Sequence, residues 1–418
     1  MLKQLELCEV GPSGSLKIDF TRRLNILTGD NGLGKTFVTD IAWWTLTRSW
    51  VDLPALPYDV RAIHPAIKFK IVGKSGSDVS QESEYNFKKQ QWPIKKGRAG
   101  MPGLVIYARV DGSFSVWDPA RNHWREEETN GLEKLSAYHF SNRQVWYGLE
   151  FGGKTVCNGL IRDWITWQYK KNQAFDTMRT VLRELSPDRQ EKIEIAEPCR
   201  IPDVAMEIPV VTLPYGNVPV THASAGMRRI IALAYLLVWV WEEHKIAAKL
   251  RAEPETDRLV FLFDEVESHL HPLWQRVLLP SLLRVFDGLS GYLNYQIIAS
   301  THSPLVLASI ETEFDEASDA LFNFRLTQGE VVVDTLPWAK QGDVLNWLVS
   351  DSFGLKQGRS REAEVVIEAA EAWMRGDLAA LPGHLQSIQE IDAELRRVLP
   401  GHDPFWPRWI MKMEDTDK

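Results

Sequence analysis

Leu24-Asn25-Ile26-Leu27-Thr28, followed directly by Gly29-Asp30-Asn31-Gly32-Leu33-Gly34-Lys35-Thr36, decides how this chain folds. The first five residues form an apolar run that reads as a buried strand. Phe37 to Trp44, after the glycine-rich segment, has helical spacing. A glycine-rich turn between a strand and a helix curls its backbone N–H groups around phosphate oxygens, and the positive end of the helix faces the same anion. In that frame Lys35 reaches the β- and γ-phosphates and the Thr36 hydroxyl ligates Mg²⁺. Gly29, Asp30, Asn31, Gly32, Leu33 and Gly34 complete the cradle. The expected ligands are ATP and Mg²⁺.

Three further segments extend this reading. Arg258 to Glu265 (Arg-Leu-Val-Phe-Leu-Phe-Asp-Glu) is a hydrophobic strand ending in two carboxylates. Asp264 at its tip is placed to join the Mg²⁺ shell, and Glu265 to orient and deprotonate the attacking water. Ala299-Ser300-Thr301-His302-Ser303-Pro304 follows another apolar strand, and there His302 can donate to the γ-phosphate. His222-Ala223-Ser224-Ala225-Gly226-Met227-Arg228-Arg229 precedes the apolar helix Ile230 to Trp241. Ser224 caps that helix, and Gly226 allows close backbone approach. As a second anion site this turn has to meet phosphate bound by another subunit. Arg228 and Arg229 would add positive charge near that seam.

In this order the segments resemble the ABC-type ATPase head of the SMC-like and RecF-like proteins, over about residues 1–330. By resemblance Gly29–Thr36 is the Walker A loop, Ser224 to Arg228 the signature, Phe261 to Glu265 the Walker B strand and His302 the switch histidine. Glu267-Ser268-His269-Leu270-His271-Pro272 looks like a D-loop and is similar to that of OLD-type and related defence ATPases. Under that match His269 and His271 are not a metal pair. The signature departs from Leu-Ser-Gly-Gly-Gln, and Gln144 and Gln168 are both open as the Q-loop residue. The resemblance implies a homodimer, or a higher even oligomer, closing around ATP.

Missing parts narrow the reading. SMC and related repair ATPases insert coiled coils between Walker A and the signature. Here roughly 190 residues intervene without sustained heptads, so no long arm is expected. The Toprim domain of OLD-type nucleases needs an Asp-x-Asp set on a sheet, and the sequence Asp415-Thr416-Asp417 sits in a polar end with no strand before it. Gly342 to Leu348, Phe353-Gly354-Leu355, Arg359 to Glu364 and Asp403 to Pro407 look like the C-terminal region of stand-alone defence ATPases, including Septu-type ones whose partner is an HNH nuclease. A helical lid completing the core is an equal reading of that tail.

The fold expected is therefore an α/β P-loop NTPase, an ABC-type head over 1–335. It has a β-rich insertion at about 53–120, a helical lobe at about 155–245 and a helical extension over 336–418. The function expected is an ATPase that regulates a separately encoded effector, a nuclease of anti-phage defence; the alternative is a RecF-like ATPase of DNA repair or recombination. DNA remains a further ligand to test, because Lys88, Lys89, Lys95, Lys96 and Arg98 surround Trp92 and could track phosphates while the ring stacks on a base. A solvated loop is the competing reading.

Composition agrees with these expectations. The chain has 418 residues and a net charge of −8, which argues against broad coating of nucleic acid. Cys8, Cys157 and Cys199 are scattered and odd in number, so neither a disulfide framework nor a zinc cluster is expected, consistent with a reducing cytoplasm. No signal-peptide pattern opens the chain, and Ile230 to Trp241 is too short to cross a bilayer. The seventeen tryptophans suggest a large core.

Overall fold

The computed structural model describes residues 1–59, 62–73, 76–93, 102–122, 136–187 and 192–416. They divide into two compact units, Met1–Gly342 and Asp343–Lys418.

An eight-stranded sheet carries the first unit. Across it lie, in order, Glu330–Leu336, Asp319–Thr327, Leu24–Gly29, Asn294–Ser300, Arg258–Phe263, Leu104–Ala108, Phe114–Trp117 and Tyr138–Phe140. Neighbours from Asp319–Thr327 to Leu104–Ala108 pair in parallel, and the strands beyond them pair antiparallel. Parallel strands need both faces covered, and their sequences read as nearly unbroken apolar runs. In Arg258–Phe263 successive side chains alternate between faces. Val260 and Leu262 join the core that holds Trp43 and Trp44, whereas Phe261 meets Phe286 of the helix Leu278–Leu289 with ring centroids 5.4 Å apart.

The helix Lys35–Thr47 shares that first core with a four-stranded antiparallel sheet made of Ser13–Asp19, Leu2–Val10, Ala66–Val72 and Asp78–Glu84. The strands of the expected β-rich stretch at about 53–120 are shared between two sheets. Ala66–Val72 pairs with Leu2–Val10, and Leu104–Ala108 is a central strand hydrogen-bonded alongside Arg258–Phe263. All five residues of Leu104–Ala108 are buried, as a strand covered on both faces must be.

The lobe expected to be helical is mixed. Leu160–Lys170 and Gln173–Glu184 are helices, but Glu194–Arg200, Glu207–Leu213 and Gly216–Pro219 form a three-stranded sheet before the long helix Ala225–Leu250. In the second unit the helices are Val344–Val349, Arg361–Arg375, Ile388–Val398 and Trp406–Thr416. Val366, Ala370, Ile391, Leu395 and Trp409 form its core. Ser360 caps the helix Arg361–Arg375, and Arg359 grips Asp403 through two hydrogen bonds of 2.8 and 3.0 Å.

Candidate nucleotide-binding and catalytic site

Loops at the carboxyl ends of adjacent parallel strands form the usual ligand crevice of such sheets. Leu24–Gly29, Asn294–Ser300 and Arg258–Phe263 are consecutive neighbours here, so the Gly29–Thr36 loop, the Thr301–His302 turn and the Asp264–Glu265 pair emerge side by side. Gly29 has φ of 116°, and a Cβ there would stand 2.1 Å from the Phe324 carbonyl oxygen, so only glycine fits. Asp30, Asn31, Gly32 and Thr36 are exposed, whereas Lys35 is buried. Lys35 Nζ donates to the carbonyls of Gly29 and Asp30 at 2.9 and 2.7 Å. Burial lowers its pKa to about 8, so at neutral pH most of it remains charged.

Asp264 is the hub. Its carboxylate accepts from the Thr36 hydroxyl at 3.1 and 3.0 Å and from the Ser300 hydroxyl at 2.7 Å. The same Ser300 oxygen accepts the Glu265 N–H at 2.8 Å. A hydroxyl and a carboxylate in contact are the hard oxygen donors that Mg²⁺ prefers, so Thr36 and Asp264 fit that ion. Glu265 has φ of 47°, a left-handed conformation that is costly for a residue with a Cβ.

Past it, Glu267 ties this segment to the neighbouring turn. Its carboxylate accepts the Thr301 hydroxyl at 2.7 Å and the His302 N–H at 2.5 Å. Ser303 caps the helix Pro304–Ile310 and donates to Gln275 at 2.7 Å. Burial, and then the nearby Lys35 charge, lower the pKa of His302. The imidazole is therefore neutral near pH 7 and retains one N–H to donate.

The 26-residue helix Ala225–Leu250 starts at Ser224, an exposed N-cap whose hydroxyl accepts the Met227 N–H at 3.3 Å. Gly226 lies against the Glu267–Pro272 turn; a Cβ there would be 2.9 Å from the His269 carbonyl oxygen. Arg228 is exposed. Arg229 turns inward and donates to the carbonyls of Val110, Asp264 and Glu265 at 3.1, 3.4 and 3.1 Å, which corrects its expected place at the seam. His271 caps the short helix Pro272–Gln275, and no three-residue metal cluster exists among the described residues.

Several sequence-based candidates have other employment. Gln144 closes a capping box with Ser141, and Gln168 donates to the Ala196 carbonyl at 2.9 Å. Trp92 is buried, with its indole N–H on the Ala55 carbonyl at 2.8 Å, so its ring is not a stacking platform for a base. Lys88 and Lys89 are exposed, whereas Lys95, Lys96, Arg98 and Asp417 lie outside the described residues. The sequence reading gave no role to Ser300 or the inward face of Arg229, and placed Glu267 only within the D-loop. A hydroxyl ending the strand beside the acidic one was the available signal for Ser300.

Residues 212–308 match a family model described as "AAA domain, putative AbiEii toxin, Type IV TA system". The chain is 43% identical to the retron Vc95 probable ATPase of Vibrio cholerae serotype O1 biovar El Tor over 54 residues, which are 13% of this chain and only 9% of that relative. It is 22% identical to the Septu protein PtuA of Bacillus thuringiensis over 379 residues, 86% of each chain. The SMC head domain from Thermotoga maritima is similar at 15% identity with a TM-score of 0.39, covering 81% of this chain and 99% of that one. The residues matched by the AAA-domain model hold the acidic strand, the Ser224 turn and His302, and the Gly29–Thr36 loop emerges beside that strand on the same sheet. No helix among the described residues is long and apolar enough to cross a membrane.

Proposed function

We propose that this protein binds ATP with Mg²⁺ between two copies of itself and hydrolyses it, and that the cycle gates a separately encoded nuclease in anti-phage defence. The observation that carries the hydrolytic reading is Asp264, held between Thr36 and Ser300 with Glu265 adjoining. Loop N–H groups and Lys35 bind the triphosphate, Lys35 exchanging its two carbonyl partners for phosphate oxygens. Thr36 and Asp264 would hold Mg²⁺, which would supply screening of the charge on the phosphates. Glu265 accepts a proton as the water oxygen bonds to the γ-phosphorus and the bond to the β–γ bridging oxygen breaks, leaving ADP and phosphate. His302 donates to the γ-phosphate and registers its loss. Ser224 and Gly226 of the other copy close over the same phosphate.

The dimer is supported by the exposure of Ser224 at the head of its helix. The defence role and the nuclease partner follow from the resemblance to Septu-type ATPases, and the similarity to a Septu protein along 86% of the chain supports that resemblance. Such a cycle belongs in the cytoplasm, where ATP is abundant. The test is Glu265→Gln, measured by phosphate release and by sedimentation with ATP. Turnover should fall by about a hundredfold, within the range for loss of a general base, and ATP-bound dimers should accumulate. An unchanged rate refutes the base, and monomers throughout refute the shared site.

A further inference from the structure

We infer that Arg229 is the positioning residue that ties the serine-bearing turn at the head of the helix Ala225–Leu250 to the base Glu265 of the same chain. This rests on the reading of Ser224 as a contact to the other copy's nucleotide.

The guanidinium of Arg229 is committed to backbone. Nη1 donates to Val110, at the end of the hairpin strand Leu104–Ala108, and Nη2 to Asp264 and Glu265, at the end of the acidic strand. Its central carbon lies 5.7 Å from the Phe263 ring centroid. Burial lowers its pKa, against the opposing pull of the Glu267, Glu265, Asp264 and Asp111 carboxylates, and among the described residues none of these forms a direct ion pair with it. Desolvating a guanidinium without a direct ionic contact is costly. What that cost secures is the conformation of two adjacent strand ends.

Glu265 is where this control matters. Its left-handed backbone has to be held by outside groups. Ser300 holds its N–H at 2.8 Å and Arg229 holds its carbonyl at 3.1 Å, so both of its peptide groups are pinned. Only Ser300 belongs to the sheet. Arg229 belongs to the helix that Ser224 caps, about one and a half turns from that cap at 3.6 residues per turn. A helix moves as a unit, so displacement of the Ser224 turn by a nucleotide displaces the Arg229 fork. Gly226 against the His269 carbonyl removes the slack that would absorb such a shift. The Ser224 turn of one copy, seated on its partner's nucleotide, thereby adjusts the base that serves its own nucleotide. The two sites of a dimer are linked through this side chain. A lysine keeps the charge but has no planar fork to span two strand ends.

The experiment uses the full chain with Arg229→Lys, Ser224→Ala and the double variant. It measures turnover, affinity for a fluorescent ATP analogue and melting temperature. Arg229→Lys should lower kcat about tenfold or more, with analogue affinity and melting temperature near those of the parent. The double variant should be no slower than the slower single variant, because both remove one link. A kcat within threefold of the parent overturns the inference. So do a joint loss of affinity and melting temperature, which marks a merely structural residue, and fully multiplicative effects in the double variant. Glu265→Gln run alongside separates the two claims. Full turnover there sinks the base itself, whereas its loss beside an unaffected Arg229→Lys sinks only the link.

Discussion

The Ser300 hydroxyl donates to the Asp264 carboxylate at 2.7 Å while accepting the N–H of the next residue, Glu265, at 2.8 Å. One oxygen therefore sets the rotamer of Asp264 and the backbone of Glu265. It can do so because Asn294–Ser300 and Arg258–Phe263 pair in parallel with Phe263 opposite Ala299, which brings their ends level.

Replacing Ser300 with alanine leaves a buried carboxylate short of one donor and a buried-edge N–H short of an acceptor. A hydrogen bond to a charged group contributes about 1.5–3 kcal/mol. Ser300→Ala should therefore lower the free energy of unfolding by about 2 kcal/mol and turnover by about tenfold. Urea midpoints and phosphate release measure the two effects. Turnover equal to the parent would show that Asp264 and Glu265 do not depend on this oxygen.

Gly226→Ala tests the contact between the helix start and the His269 carbonyl. The added carbon would sit 2.9 Å from that oxygen, and the obstacle is backbone rather than a flexible side chain. Either the helix start or the Glu267–Pro272 turn must move. Because Lys35 and Thr36 lie on another element, ATP-analogue affinity measured on monomer should stay within about threefold while turnover falls about tenfold. Equal losses in both would place the glycine's role in general packing.

Much of the site was legible because its parts are local. The Gly29–Thr36 loop, the Asp264–Glu265 tip and the His302 turn each carry their own strand signal, and the sheet order brings them together. What the sequence did not disclose depends on distant partners. Leu104–Ala108 reads as one strand of a β-rich stretch, and only its pairing with Arg258–Phe263 makes it part of the main sheet. Arg229 reads as surface charge next to Arg228. The helical phase that turns it toward Val110, Asp264 and Glu265 is settled by residues 35 or more positions away. Trp92, in a lysine-rich stretch, reads as part of a solvated loop or as a stacking ring until Ala55 takes its N–H.

That indole supplies a prediction of its own. Trp92 packs 5.1 Å from the Tyr85 ring, between centroids, and donates to Ala55. Trp92→Phe keeps most of the apolar volume and strands one carbonyl, so it should cost about 1–2 kcal/mol of stability. Any affinity for a single-stranded oligonucleotide, measured by fluorescence anisotropy, should be unchanged. Loss of that affinity at full stability would return the ring to a nucleic-acid surface.

Asp40 sets a pH dependence. It stands one helical turn beyond Thr36 and accepts the hydroxyl of the buried Tyr107 at 2.9 Å. Burial raises its pKa from 3.8 to about 6, and the Tyr107 hydrogen bond only partly opposes that shift. The folded state thus holds this proton more tightly than the unfolded chain. Its stabilising effect is full below the unfolded pKa and is lost as pH rises through 6. At about 1.4 kcal/mol per pKa unit, the ionised carboxylate costs the fold on the order of 3 kcal/mol at neutral pH. Asparagine presents the same carbonyl oxygen to Tyr107 and carries no charge. Asp40→Asn should therefore match the parent near pH 4 and exceed it progressively between pH 4 and 7 in urea midpoint, levelling off above. A stability difference that stays flat across that window would show that the Asp40 carboxyl ionises in the folded protein as it does in the unfolded one.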